Sequence, residues 1–255
     1  MTIGQLPASP PAPTCPSNAD YLQPSVTGGN LYVAREAGTI TSWSTRSLSS
    51  GGTYVLKIFR RTTDPDAFQV VAHSPQHALS PGLNTVPVGI PVRSGDMIGF
   101  HEQGGAFTSC TFPIPGDSVL RAAGSLPDGA SSAFATGSSE EDVRLNLSAV
   151  LVPSNDFTLA SVTHDRRRGT VTVTANVSNP GSMTLSGKGI KHHAAKNVAV
   201  PGPVSFQIAA SGKQKRKLDR TGKARVGPTL TFYPIGGDPN AQVVTVTLRK
   251  RHPLT

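Results

Sequence analysis

Residues 53–61, TYVLKIFRR, decide the fold. Tyr54, Leu56 and Ile58 fall on one face of an extended chain, and Val55, Lys57 and Phe59 fall on the other. A period of two, carried by β-branched and aromatic residues, predicts a strand, because side chains alternate across a pleated backbone. Turn chemistry follows in TTDPDA (62–67), then a second apolar run, FQVVAHS (68–74). Further bursts of the same kind are NLYVA (30–34) and GTITSWSTR (38–46), the latter closed by SLSSGG. The segment LNTVPVGIPVRSGDMIGFHE (83–102) continues the series, and Pro87 and Pro91 point to an edge strand or bulges, where a missing N–H costs no ladder bond. VRLNLSAVLV (143–152) reads as a final strand with Val143, Leu145 and Leu147 inward, and 113–141 as a long loop with one short strand.

Composition agrees. Gly 26 and Pro 22 in 255 residues exceed average usage and disfavour helix interiors. After PSNDF (153–157), which reads as a linker, about seven strands recur at sandwich-like spacing. VTVTANV (171–177) and VVTVTL (243–248) alternate Val with Thr, giving each strand one buried and one wet face. KQKRKLDRTG (213–222) is expected to form a turn or a single helical turn.

The net charge of +9 is unevenly shared. Residues 1–153 hold 8 Lys and Arg against 11 acids, whereas 154–255 hold 16 against 4. Attraction to anionic partners is therefore expected of the second half. Its densest stretch carries Lys213, Lys215, Arg216, Lys217, Arg220, Lys223 and Arg225, and Arg166, Arg167 and Arg168 would add to it on a shared face. Weak contact with an anionic wall polymer, glycan or lipid surface is one reading of this charge, and a solvated rim that discourages edge-to-edge aggregation is the plainer one. Specific nucleic-acid recognition is disfavoured, because no aromatic residue for base stacking lies between Ile208 and Phe232.

The two cysteines, Cys15 and Cys110, have no Cys-x-x-Cys spacing, so neither a thiolate zinc site nor a redox motif is indicated. A disulfide between them is expected if the protein is exported; two free thiols are expected in a reducing cytosol. No apolar run is long enough for a transmembrane helix. The start MTIGQLPASPPAPTCPS lacks the basic and apolar regions of a signal peptide and, taken literally, favours the cytoplasm. A start assigned too far downstream would also remove such a signal, and an extracellular or cell-surface location is the expectation.

Chemistry-bearing motifs are scarce. There is no phosphate-binding loop, no Gly-x-Ser-x-Gly elbow and no His-Glu-x-x-His helix. No catalytic residue, metal or cofactor is therefore expected, and the chain is not read as an enzyme. His73, His77 and His101 could meet in space with Glu102 nearby, although histidines without fixed close spacing are more often surface residues. Asp64 and Asp66 could hold calcium, but an Asp-Pro-Asp turn explains them without an ion. Trp43 could stack on a sugar, making the first half a carbohydrate-binding module. Strict alternation sets it opposite Ile40, so either it is exposed or a bulge turns both inward.

Gly38–Ser44, Pro81–Thr85 and Ile90–Gly99 carry a Gly-x-Ile-Thr-Ser-Trp-Ser strand, a Pro-Gly-x-Asn-Thr turn and an Ile-Pro-Val-x-x-Gly-Asp-x-Ile-Gly segment. In these the chain resembles the N-terminal β-sandwich of uncharacterised secreted proteins of soil bacteria. Leu185–Gly189, Lys213–Arg225 and Thr231–Gly237 resemble bacterial immunoglobulin-like modules. The resemblance implies export and carries no known activity. The expected architecture is all-β: a Pro-rich arm over 1–20, a jelly-roll-like sandwich over 21–152 and a basic immunoglobulin-like sandwich over 156–250. The expected role is a non-catalytic binding or adhesion module.

Overall fold

The computed structural model describes residues 1–11, 18–103, 109–136, 141–191 and 193–251. The chain is nearly all β and separates into two compact units, Met1–Val152 and Pro153–Thr255.

Unit 1 contains β1 (Thr2–Gln5), β2 (Ala19–Leu22), β3 (Gly38–Ser47), β4 (Thr53–Arg61), β5 (Ala67–His73), β6 (His77–Ala78), β7 (Gly82–Val92), β8 (Met97–Glu102), β9 (Thr111–Ser118), β10 (Leu120–Ala123), β11 (Ser131–Ala133), β12 (Glu141–Leu145) and β13 (Leu147–Pro153). One sheet runs β1-β13-β3-β7 and the other β10-β2-β8-β4-β5-β11, with β6 beside β4 and a separate β9-β12 ribbon. All these pairs are antiparallel. The two sheets face each other across a core that joins Ile40, Trp43, Leu147 and Leu151 to Tyr21, Tyr54, Leu56, Ile58 and Phe100. Tyr54 and Phe100 stack with centroids 4.5 Å apart.

The expected strand over 53–61 is present, with Tyr54, Leu56 and Ile58 in the core. Its other face is not wet. Phe59 joins Leu22, Phe68, Val70, Met97 and Phe134 in a second apolar cluster. β7, with Pro87 and Pro91, is an edge strand. Gly99 lets β2 and β4 close over β8: a Cβ there would lie 2.1 Å from the Tyr21 carbonyl oxygen and 2.7 Å from the Phe59 ring.

Three expectations are corrected in this unit. The arm over 1–20 is not simply an extended lead, because Thr2–Gln5 pairs with Leu147–Val150 of β13 and closes the first sheet. Residues 113–141 are not one long loop; most of β9, with β10 and β11, lies within them, and Leu120–Ala123 extends the larger sheet beside β2. VRLNLSAVLV is two strands, parted at buried Asn146, whose side-chain amide donates to the carbonyls of Arg46 and Ser109.

Unit 2 contains β14 (Phe157–Asp165), β15 (Thr170–Val177), β16 (Gly181–Ser186), β17 (Ala194–Val198), β18 (Gly202–Ala209), α1 (Gly212–Thr221), β19 (Lys223–Val226), β20 (Thr229–Pro234), β21 (Asn240–Val243) and β22 (Val246–Arg249). Its sheets run β14-β15-β18, β17-β16-β20-β21 and β19-β22. Val171, Val173 and Ala175 of β15, with Phe206, Met183, Leu230 and Phe232, form the core, and the intervening threonines are only half-buried.

The basic stretch is corrected from a single turn to a ten-residue helix. Lys, Arg, Gln and Leu are good helix formers, although only Leu218 of this helix is buried. Gly222 ends it in the left-handed conformation, with φ of 68° and its N–H donating to the Leu218 carbonyl.

Candidate functional site

Two places in the molecule concentrate chemistry, one in each unit. In unit 2 the fold joins basic segments that are far apart in sequence. The β14–β15 hairpin turns at Arg166, Arg167 and Arg168, where Asp165 Oδ1 accepts the N–H groups of Arg167 and Arg168 at 2.9 and 3.0 Å. Gly169 closes the turn with φ of +73° and lies so near α1 that a Cβ would be 3.1 Å from Leu218. The chain leaving β22 ties the two together. The Lys250 N–H donates to the Gly222 carbonyl at 2.9 Å, and the Arg251 N–H to the Arg166 carbonyl at 2.8 Å.

Asp219 is the acid that fixes this junction. It accepts from Lys215 at 2.5 Å and Lys250 at 2.6 Å, and these two ammonium groups hold its carboxyl down at about 2. A depressed carboxyl contributes its tether above the ordinary carboxylate range and loses it only as pH falls toward the depressed value. The tether is intact at neutral pH.

Lys213, Lys215, Arg216, Lys217, Arg220, Lys223 and Arg225 are all exposed, as are Arg166, Arg167 and Arg168. Lys223 stands directly across the β19–β22 ladder from Arg249, also exposed, and like charges in that position destabilise a sheet. Lys188 and Lys213 line a shared concavity at the start of the helix. Lys196 instead lies over the Phe206 ring at 5.7 Å.

In unit 1 the polar half of the larger sheet's outer face carries a buried network. Asp20, on β2, pairs in register with His101 on β8, and Lys57, on β4, pairs with His73 on β5. Lys57, only 2% exposed, donates to both oxygens of Asp20 at 2.7 and 2.8 Å, to Ser125 Oγ at 3.0 Å and to the Leu126 carbonyl at 2.7 Å. Asp20 also accepts the Leu126 N–H at 3.0 Å and meets His101 Nδ1 at 2.8 Å. His73 Nδ1 lies 2.8 Å from Asp128. His73, His101, Lys57 and Val55 share a cavity of about 360 Å3 with Asn18, Gln103 and Ser125–Pro127. Asn18 occupies its place with φ of 56°, a conformation Asn tolerates better than most residues.

Two of the three histidines grouped from sequence thus meet at one cavity. His77 does not; it packs edge-on to Trp43 at 6.0 Å. Glu102 is buried and accepts the Asn18 N–H at 3.1 Å. Asp20 and Lys57 were legible only as a lone lysine between Val55 and Phe59 and an acid in a short apolar run. A second buried ion pair joins Arg144 to Asp117. Burial pushes the Asp117 carboxyl up, but Arg144 and the Thr27 N–H outweigh it and hold it below the ordinary range.

The sugar-stacking role expected of Trp43 is corrected. The β3–β7 register shifts between Ile40 and Ser42, and this bulge turns both Ile40 and Trp43 inward, each 0% exposed. An indole sealed in the core cannot stack on a ligand. Asp64 and Asp66 form a turn in which Asp64 Oδ1 accepts the Asp66 N–H at 3.0 Å. Among the described residues there is no group of three or more His, Cys, Asp or Glu side chains able to hold a metal ion. Cys15 lies outside the described residues, and Cys110 is fully buried. No helix among the described residues is long and apolar enough to cross a membrane.

No family model and no curated protein matches the chain. Among solved structures it aligns with a β-1,2-glucanase from Parabacteroides distasonis at 14% identity and a TM-score of 0.20, covering 93% of this chain and 31% of that one. The chain thus spans about a third of that protein's length, and a superposition of this quality carries no argument about fold or chemistry.

Proposed function

We propose that the chain is a non-catalytic binding module acting at or outside the cell surface, and that unit 2 grips an anionic polymer such as a wall polymer or acidic glycan. One observation carries this reading. Helix α1, the Arg166–Arg168 turn and the Lys250–Arg251 segment are drawn to one place, with Asp219 already committed to Lys215 and Lys250. A solvated rim needs no such convergence, nor the juxtaposition of Lys223 with Arg249. An extended polyanion offsets that repulsion by releasing counterions at each contact. Base-specific reading is less supported, since residues 165–169, 209–231 and 249–251 hold no Phe, Tyr or Trp.

Heparin is a suitable first probe. With about six contacts, affinity is expected to fall roughly 10³-fold or more between 50 and 200 mM salt. Binding that ignores salt, or a strong preference for one oligonucleotide sequence over heparin, would overturn the reading.

The finer architecture belongs with this proposal: a jelly-roll-like unit 1 and an immunoglobulin-like unit 2. So does a Cys15–Cys110 disulfide in an exported chain. What supports the bridge is the anchoring of both flanks of Cys15. Ser109, next to Cys110, donates its hydroxyl to the Pro11 carbonyl at 2.5 Å, and the Asn18 N–H is held by Glu102. Four residues of chain are long enough to carry Cys15 from Pro11 back to Cys110. Iodoacetamide applied to the unfolded, unreduced protein is expected to modify neither cysteine; modification of both would refute the bridge.

A further inference from the structure

We propose that the unit 1 cavity over Val55 is a binding site for a neutral, polyhydroxylated ligand of monosaccharide size, with His101 as its central hydrogen-bond acceptor. The inference is independent of the polyanion reading, which concerns unit 2.

It rests on what is left unpaired in the buried network. Asp20 receives two contacts from Lys57, one from the Leu126 N–H and one from His101 Nδ1, so the imidazole donates through Nδ1. In the neutral imidazole that fixes the tautomer and leaves Nε2 as a lone-pair acceptor. No protein group among the described residues pairs with Nε2, although His101 is 3% exposed and lines the cavity. His73, anchored the same way on Asp128, brings a second imidazole to the same space. Two oriented acceptors call for O–H donors.

The alternatives fit less well. An anion needs a free cationic donor, but the Lys57 ammonium is spent on Asp20, Ser125 and Leu126. A divalent ion needs a third His, Cys, Asp or Glu ligand, and the described residues supply none. A neutral polyol uses both imidazoles and the Gln103 amide, and lays its C–H surface on Val55, Leu126 and Pro127. At about 360 Å3 the cavity sits at the small end of ligand sites, with room for one sugar and not for a polymer interior.

The test is a titration of the full chain, labelled with ¹⁵N-histidine, against D-glucose, D-galactose, D-mannose, L-rhamnose and N-acetyl-D-glucosamine, with inorganic phosphate and zinc chloride as comparators. At least one sugar is expected to shift the His101 Nε2 resonance saturably in the millimolar range. His101→Asn keeps a donor to Asp20 and removes Nε2, and it should weaken that sugar about tenfold or more. Val55→Phe fills the floor and should do the same with the network intact. The proposal is overturned if no sugar moves the resonance, if only phosphate or zinc does, or if both variants bind as the parent does.

Discussion

Replacing Asp20 by Asn is expected to destabilise unit 1 by about 3–5 kcal/mol, the cost of leaving one member of a buried ion pair without its partner. Both members are removed from water, with side chains 3% exposed for Lys57 and 0% for Asp20. The asparagine keeps the shape and one acceptor oxygen but cannot neutralise the ammonium. It also weakens the bond that orients His101 and the one that pins Leu126. For a unit of this size the loss corresponds to a fall of roughly 6–20 °C in the melting transition, measurable by calorimetry. Lys57→Met should be similarly harmful, since it strands a buried carboxylate. The double variant Asp20→Leu with Lys57→Met should regain only the part of the loss that comes from the stranded charge, because His101 Nδ1 and the Leu126 N–H still lose their acceptor. A change below about 1 kcal/mol for Asp20→Asn would mean that water reaches the pair freely, and the cavity could not then present a fixed imidazole.

That pair also marks where sequence reasoning stopped. Alternation in TYVLKIFRR placed Tyr54, Leu56 and Ile58 correctly, because a buried face constrains every second residue. It could not say what covers the opposite face, since that depends on chain returning from residues 120–134 to roof the sheet. Lys57 is nonetheless among the most buried charges of unit 1. Trp43 posed the converse problem. Periodicity left two answers, and a one-residue bulge between Ile40 and Ser42 decided between them. The helix at Gly212–Thr221 was nearly invisible because one apolar residue, Leu218, gives no period to detect. The charge of this stretch was plain in sequence, but its juxtaposition with Arg166–Arg168 depended on contacts spanning about fifty residues, such as Gly169 with Leu218.

The same juxtaposition yields the most demanding expectation for unit 2. If one polyanion spans the helix and the hairpin, then reversing either set of charges must weaken binding, although the sets are remote in sequence. Lys213→Glu with Arg216→Glu and Arg220→Glu should cost about 10²-fold or more in heparin affinity at low salt, and Arg166→Glu with Arg167→Glu at least about tenfold. Every basic side chain taken away from the polyanion should also flatten the plot of log affinity against log salt by roughly one unit. Lys196→Glu is the control, compared per charge reversed because it flips one charge against three and two; Lys196 is engaged with Phe206, and its effect per charge should be much smaller. All three are exposed substitutions that spare the core, so a retained melting transition separates weakened binding from a damaged fold. An equal loss per charge reversed in all three would reduce the effect to net charge alone, acting at long range as it does for any basic protein. A silent hairpin would confine the site to the helix. Only a steeper loss per reversed charge at the helix and the hairpin than at Lys196 follows from a surface assembled by the fold.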